Sequence, residues 1–194
     1  VTSDLKLLAI EDSFFVLSSI KKILDLSKST NEYLKFLKKF NDYYPQLYKK
    51  SSEIEFTPFV AKAIEEIVNK YGEIKDDASP DLVNIRRNIN VVRCKINQSF
   101  GMALSHFNSL GYLDDIKETV VDNRRVLAVQ AMYRKKVKGS ILGNSKTGSI
   151  AYIEPETTLK YSRELNNLEF EEREEIMRIL RVLSATIRPY VNLI

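Results

Sequence analysis

The stretch Thr119–Pro155 reads T-V-V-D-N-R-R-V-L-A-V-Q-A-M-Y-R-K-K-V-K-G-S-I-L-G-N-S-K-T-G-S-I-A-Y-I-E-P, and it is unlike everything around it. It is β-branched, punctuated by glycine and strongly basic, while the flanking sequence carries helical periodicity. From Lys117 to Ser149 there are eight Lys or Arg against Glu118 and Asp122, a local charge of +6 in a chain whose formal net charge is +4. The positive charge is therefore concentrated here. The pattern predicts a small β element near Arg124–Tyr133, Val137–Leu142 and Ser149–Ile153, inserted at about residues 116–155 between two long helices. Asp122-Asn123 is a turn signal, because both side chains tolerate left-handed backbone. Gly143–Gly148 reads as a hairpin loop.

The helices on either side follow from spacing. Ser79-Pro80 is a capping hydroxyl followed by proline at the first helical position. From there Leu82, Ile85, Ile89, Val92, Ile96, Phe100, Ala103, Phe107 and Leu110 recur at intervals of three and four until Gly111. Such a stripe makes a helix roughly 45 Å long at about 1.5 Å per residue. Its narrow seam suits pairing with one other helix. The partner is Glu156 to about Ile187, with Leu159, Leu165, Leu168, Ile176, Ile179, Leu180, Leu183 and Ile187 as the matching stripe. Glu154, Glu156, Glu164, Glu169, Glu171, Glu172, Glu174 and Glu175 enrich it in acid, which favours a helix N-terminus and repels polyanions.

The first 75 residues read as a helical core. One helix is expected from Ser3 to about Lys28, with Leu5, Leu8, Phe15, Ile20, Ile23 and Leu24, and Asp12-Ser13 could restart it. A second is expected from a Thr30 cap through Tyr43, ended by Pro45. A third begins at Thr57-Pro58, carries Val60, Ala63, Ile64, Ile67, Val68 and Tyr71, and stops at Gly72. The fold class is thus mostly α (α+β): residues 1–75 a helical core, residues 76–194 two long antiparallel helices carrying a small antiparallel β element at their tip.

Bulk properties narrow the function. A hydrophobic content of 44% with 29% charged residues is that of a globular chain rather than a disordered or membrane one. No apolar run approaches the roughly 18 residues of a membrane helix and no signal peptide opens the chain. One cysteine, Cys94, allows no internal disulfide and is compatible with the cytoplasm. The start at Val1 suggests a piece of a larger protein. His106, the only histidine, has no cysteine or carboxylate at ligand spacing and is not a metal site. The Ser145-Lys146-Thr147 tripeptide is no phosphate loop, since that motif needs glycine-lysine before the hydroxyl and a helix after it. The candidate nucleic-acid-binding residues are Arg134, Lys135, Lys136 and Lys138 at a strand connection, with Arg124, Arg125 and Lys146 as a second rank. Lysine and arginine neutralise phosphates and release counterions, giving sequence-independent, salt-sensitive affinity. The bland reading is a solvated edge, where lysines guard strands against aggregation.

Gly72-Glu73-Ile74-Lys75-Asp76-Asp77-Ala78-Ser79-Pro80 with Leu82, Ile85 and Arg86 resembles the MutS family of mismatch-repair ATPases. So do Arg124, Val126 to Val129, Val137-Lys138-Gly139, Ser145 with Thr147-Gly148, and Ile153-Glu154-Pro155. Glu164-Leu165, Leu168, Glu169, Glu172 and Glu175-Ile176 extend the resemblance. It is greatest to the bacterial branch that lacks the mismatch-reading domain and ends in a nuclease domain. The resemblance implies a helical core, lever helices and clamp, with a homodimer enclosing the DNA backbone, duplex or branched, without reading sequence. It also implies ATP and Mg in an ATPase domain outside this chain, and no cofactor or catalytic residue within it. Where the family commonly has R-N-G-R, this chain has Val121-Asp122-Asn123-Arg124, which loses a cation. Two alternatives stand beside DNA: a ribosome or structured-RNA clamp in stalled-ribosome rescue, because basic clamps also grip RNA by shape and phosphate position, and a helical protein-interaction module.

Overall fold

The computed structural model describes residues 14–193 and divides the chain into two compact units, residues 1–84 with 172–194 and residues 85–171. Five α-helices are present among the described residues: α1 (Leu17–Lys39), α2 (Pro45–Ser51), α3 (Pro58–Ile67), α4 (Pro80–Ser109) and α5 (Glu156–Ile187). Between α4 and α5 in sequence lie β1 (Leu113–Val121), β2 (Arg124–Gln130), β3 (Gly139–Asn144) and β4 (Ile150–Pro155). The mostly helical α+β class holds, and the two long helices have the bounds that their stripes predict.

The helical unit is built on a core of Ile20, Ile23, Val60, Ile64, Leu82, Leu183 and Ile187, each side chain nearly or fully withdrawn from water. Its first helix departs from expectation. Thr30 does not cap a second helix; α1 runs unbroken for 23 residues. The reason is that Ser27 and Asn31 are buried on its inner face and tie it to the start of α3. Asn31 Oδ1 accepts from the Thr57 backbone N–H at 2.9 Å, and Ser27 Oγ donates to the Thr57 carbonyl at 3.3 Å. Thr57 itself makes no side-chain cap. Pro45 does not end a helix but begins one, as its fixed φ allows at the first position. Helix α3 stops at Ile67, five residues before Gly72, because Asn69 Oδ1 accepts from the N–H groups of Tyr71 and Glu73 and turns the chain. The readings on Ser3, Leu5, Leu8 and Asp12-Ser13 lie outside the described residues.

Ser79 opens α4 as its spacing predicts. Its Oγ accepts from the Leu82 N–H at 3.0 Å and donates to Glu175 Oε1 on α5 at 2.5 Å. Arg178 holds the same carboxylate through two 2.6 Å bonds. The Arg178 bonds, with help from Ser79, hold the Glu175 carboxyl below its ordinary value of 4.5 against the opposing effect of burial. A depressed folded-state pKa contributes stability that is present above the unfolded value and lost as pH falls through the folded one. Ser79→Ala should therefore cost about 1–2 kcal/mol at neutral pH, the cap and the buried bond together. In urea titrations the gap between the native chain and Glu175→Gln should be widest at neutral pH and narrow on acidification below the carboxylate range. A constant gap would show that Glu175 is not held ionised.

In the sheet unit α4 ends in a Schellman arrangement. Gly111 takes φ +67°, the Tyr112 N–H donates to the Phe107 carbonyl at 3.1 Å, and the Gly111 N–H donates to the Asn108 carbonyl at 3.0 Å. Helices α4 and α5 run antiparallel here, since Ser99 meets Thr158 and Arg93 meets Glu169 further along. The sheet has the order β1-β2-β4-β3, all neighbours antiparallel. Strand β1 is not among the strands the sequence predicts, the first of which begins near Arg124, because Asp114, Asp115 and Lys117 break the apolar pattern; a bulge also interrupts its pairing between Leu113 and Glu118. Asp122 and Asn123 both take positive φ, +47° and +61°, closing β1 to β2 in a two-residue turn. Leu113, Leu127, Val129, Ala151 and Ile153 pack on Phe100 and Ala103 of α4.

Candidate nucleic-acid interface

Strands β2 and β3 run in the same direction with β4 between them, so residues 131–138 must cross the sheet from one end to the other. This crossover carries the cations. It begins with a 3-10 turn at Ala131–Tyr133, followed by Arg134, Lys135 and Lys136, all exposed. Val137 then turns inward and is buried with Phe100, Leu127 and Ile153. Lys138 is exposed again, while its carbonyl accepts from the Glu156 N–H at 3.1 Å at the start of α5. One apolar anchor and one backbone bond thus fix a run of four charges. Among the described residues none of the four forms an ion pair.

Aromatic rings brace the same segment. Tyr112 and Tyr133 stack at 4.5 Å, and Lys136 Nζ stands 5.5 and 5.6 Å from their centroids. Tyr133 therefore packs on protein. Tyr112, which completes the pair, had no signal of its own beyond lying next to Gly111. Arg134, Lys135 and Lys138 border one open hollow with Gly139, Glu156 and Leu159; Lys136 and Lys138 border a second with His106. Glu156 lines both, so the patch is basic but not purely so.

Lys146 sits apart from Lys138. It occupies the β3–β4 hairpin, at the far end of six-residue β3, about 17–20 Å away along the strand. The hairpin lies where the crossover starts, since the Ala131 N–H donates to the Ser149 carbonyl at 2.9 Å. Its hydroxyls are occupied locally: Ser145 Oγ accepts from the Ile150 N–H, and Thr147 and Ser149 share a 2.7 Å bond. The loop leads into strand β4, not into a helix, so it does not have the geometry of a nucleotide cradle.

The two strand arginines are differently placed. Arg124 Nη1 lies 3.2 Å from Glu154 Oε2, whose side chain is 1% exposed. Glu154, which the sequence grouped with the acidic helix, is instead an inner residue of β4. Arg125 reaches the helix side, bonding Glu118 at 2.6 Å and Asn97 at 3.2 Å with its guanidinium 4.3 Å from the Phe100 centroid. The structure thus brings together Arg134, Lys135, Lys136 and Lys138, sets Lys146 at the far end, and engages Arg124 and Arg125 with carboxylates. Among the described residues no cluster of three or more His, Cys, Asp or Glu could hold a metal, and no helix is long and apolar enough to cross a membrane.

No family model matches the chain. Curated relatives do. The chain is 33% identical over 178 residues to a protein of Streptococcus suis named Endonuclease MutS2, an alignment covering 92% of this chain and 22% of that protein. It is 39% identical over 112 residues to the Endonuclease MutS2 of Lachnoclostridium phytofermentans, covering 58% of this chain and 14% of the relative. To that of Pelotomaculum thermopropionicum it is 29% identical over 158 residues, covering 81% and 20%. The chain spans about a fifth of the length of such relatives. The motifs at Gly72–Pro80 and Ile153–Pro155, the α+β architecture and these alignments agree: the chain belongs to the MutS family, as a fragment similar to part of MutS2.

Proposed function

We infer that the crossover of the sheet unit is a clamp surface that grips the nucleic-acid backbone without reading sequence, DNA duplex or branched, in mismatch repair or recombination control. The observation that carries this is the fixed run of Arg134, Lys135, Lys136 and Lys138, exposed and free of ion pairs among the described residues. Lys146 extends the reach to the far end of β3. Cations held by a buried valine and a backbone bond lose little freedom on meeting phosphate. Arg124 and Arg125 act as positioning residues that hold the strands. In the parent protein α4 and α5 act as levers that carry nucleotide-driven motion from an ATPase domain using ATP and Mg, within a homodimer. Nucleotide chemistry is that domain's, and this chain supplies grip.

Anisotropy of labelled duplex and four-way-junction DNA across a salt series tests this. Binding should weaken with salt. Lys135→Ala/Lys136→Ala/Lys138→Ala should flatten the log–log salt slope by about 2.7, at roughly 0.9 for each phosphate left without its lysine. Affinity at low salt should fall at least about tenfold, with helical content unchanged. An unaltered slope in the triple variant would remove the crossover from the interface. Binding to ribosomes in preference to both DNAs would move the ligand to RNA.

A further inference from the structure

A second surface lies in the helical unit. Between Tyr33 and Lys50 the chain gathers six of its ten tyrosines and nine phenylalanines, with five lysines against one acid, Asp42. The rings form one continuous array. Phe36 stands 4.8 Å from Phe40 and 6.1 Å from Tyr44, and Phe40 stands 6.3 Å from Tyr43. Tyr33 lies one turn before Phe36 on the same side of α1. These rings face water: Tyr33 is 69% exposed and Tyr43 79%. Every residue from Asn41 to Lys50 is exposed.

On the other side of α1 a groove is lined by Leu34, Tyr48, Ile54 and Phe56 with Lys35, Lys38 and Lys49, since at about 100° per residue Leu34 and Lys38 point away from Tyr33, Phe36 and Phe40. Lys35 Nζ lies 5.5 Å from the Phe56 centroid, and Lys39 Nζ lies 5.4 Å from that of Phe40. Among the described residues none of the five lysines has a carboxylate partner; the ion pair nearest in sequence is Lys28–Glu65. On the ring face Lys39 stands beside Phe40 among open aromatic rings, and that combination matches one ligand chemistry. A single strand of nucleic acid offers phosphates for the lysines and unpaired base faces for the rings. A duplex keeps its bases stacked inside and leaves the rings without partners. An acidic peptide would take the lysines alone.

We propose that the ring face from Tyr33 to Tyr44 is a binding site for single-stranded nucleic acid, separate from the crossover and independent of the function assigned to it. The probe is a labelled dT oligomer of about twenty nucleotides, long enough to cover a site of the usual size, compared with an abasic oligomer of equal length and charge. The native chain should bind dT more tightly than the abasic strand. Tyr33→Ala/Tyr43→Ala should lose at least about 25-fold in dT affinity, near fivefold per ring at the low end of stacking energies. Both rings are exposed, so the circular dichroism spectrum should not change. Lys39→Glu should weaken both oligomers. The triple alanine variant of the crossover should keep the native preference for dT over the abasic strand, because the crossover reads phosphate alone, and this separates the ring site from the other. Equal affinity for dT and abasic strands, native affinity in the tyrosine variant, or no dT binding at low salt would each overturn the proposal. So would a native dimer that the tyrosine substitutions convert to monomer, because the face would then join two copies of the chain.

Discussion

Gly139→Ala is expected to be among the most damaging single substitutions in the sheet unit. An added Cβ would stand 2.1 Å from the Glu154 carbonyl oxygen and 2.9 Å from both the Glu154 carbonyl carbon and Ile153 Cγ2. Two of those atoms are backbone in a paired strand and cannot rotate away. Relief requires β3 to withdraw from β4 at the Gly139–Pro155 pair, where β3 begins. That motion also drags Val137 out of the core and breaks the bond from the Glu156 N–H to the Lys138 carbonyl. The loss should be about 3 kcal/mol or more, at or beyond the upper end of ordinary overpacking. Gly101→Ala is the control. It lies inside α4 with nothing within 4 Å of a new Cβ, and should stabilise by about 0.5–1 kcal/mol. Urea unfolding midpoints of the two variants should move in opposite directions. A Gly139→Ala midpoint equal to the native one would mean that β3 and β4 are not so close.

Arg124→Ala should destabilise by about 2–3 kcal/mol. Removing the cation leaves Glu154 as a carboxylate with 1% exposure and its ion-pair partner gone. A fully buried broken pair costs about 3–5 kcal/mol; the Arg124 side chain is 35% exposed, so water replaces part of what is removed. Arg124→Lys should recover part of the difference, since the charge returns without the guanidinium fork. The consequence bears on the interface. Below its unfolding transition Arg124→Ala should bind DNA nearly as the native chain does, in contrast to the crossover triple variant. Native stability combined with a tenfold loss of affinity would instead make Arg124 a direct phosphate ligand.

How much of the fold was legible along the chain depended on whether the signal was local. Ser79-Pro80 and Gly111 mark the two ends of α4, and a hydroxyl cap, a fixed proline φ and a left-handed glycine act within a few residues. Asp122-Asn123 announced its turn for the same reason. Where tertiary contacts competed with local cues, the sequence misled. Thr30 looked like a cap, but two buried polar side chains, Ser27 and Asn31, bind the Thr57 backbone and keep α1 continuous. Glycine at 72 looked like a helix stop, but the Asn69 side chain had already turned the chain.

The basic character of Thr119–Pro155 was plain from composition, yet its seven cations said nothing about which were engaged. That division came from partners distant in sequence: Glu154 for Arg124, and Asn97 and Phe100 for Arg125. By itself the sequence determined the α+β class, the two long helices, the turn chemistry and the location of the charge, because periodicity, capping and composition are properties of neighbours along the chain. Only the tertiary structure decided which charges are engaged and which stay open, because an ion pair or a stacked ring depends on residues that the fold, not the chain order, brings together.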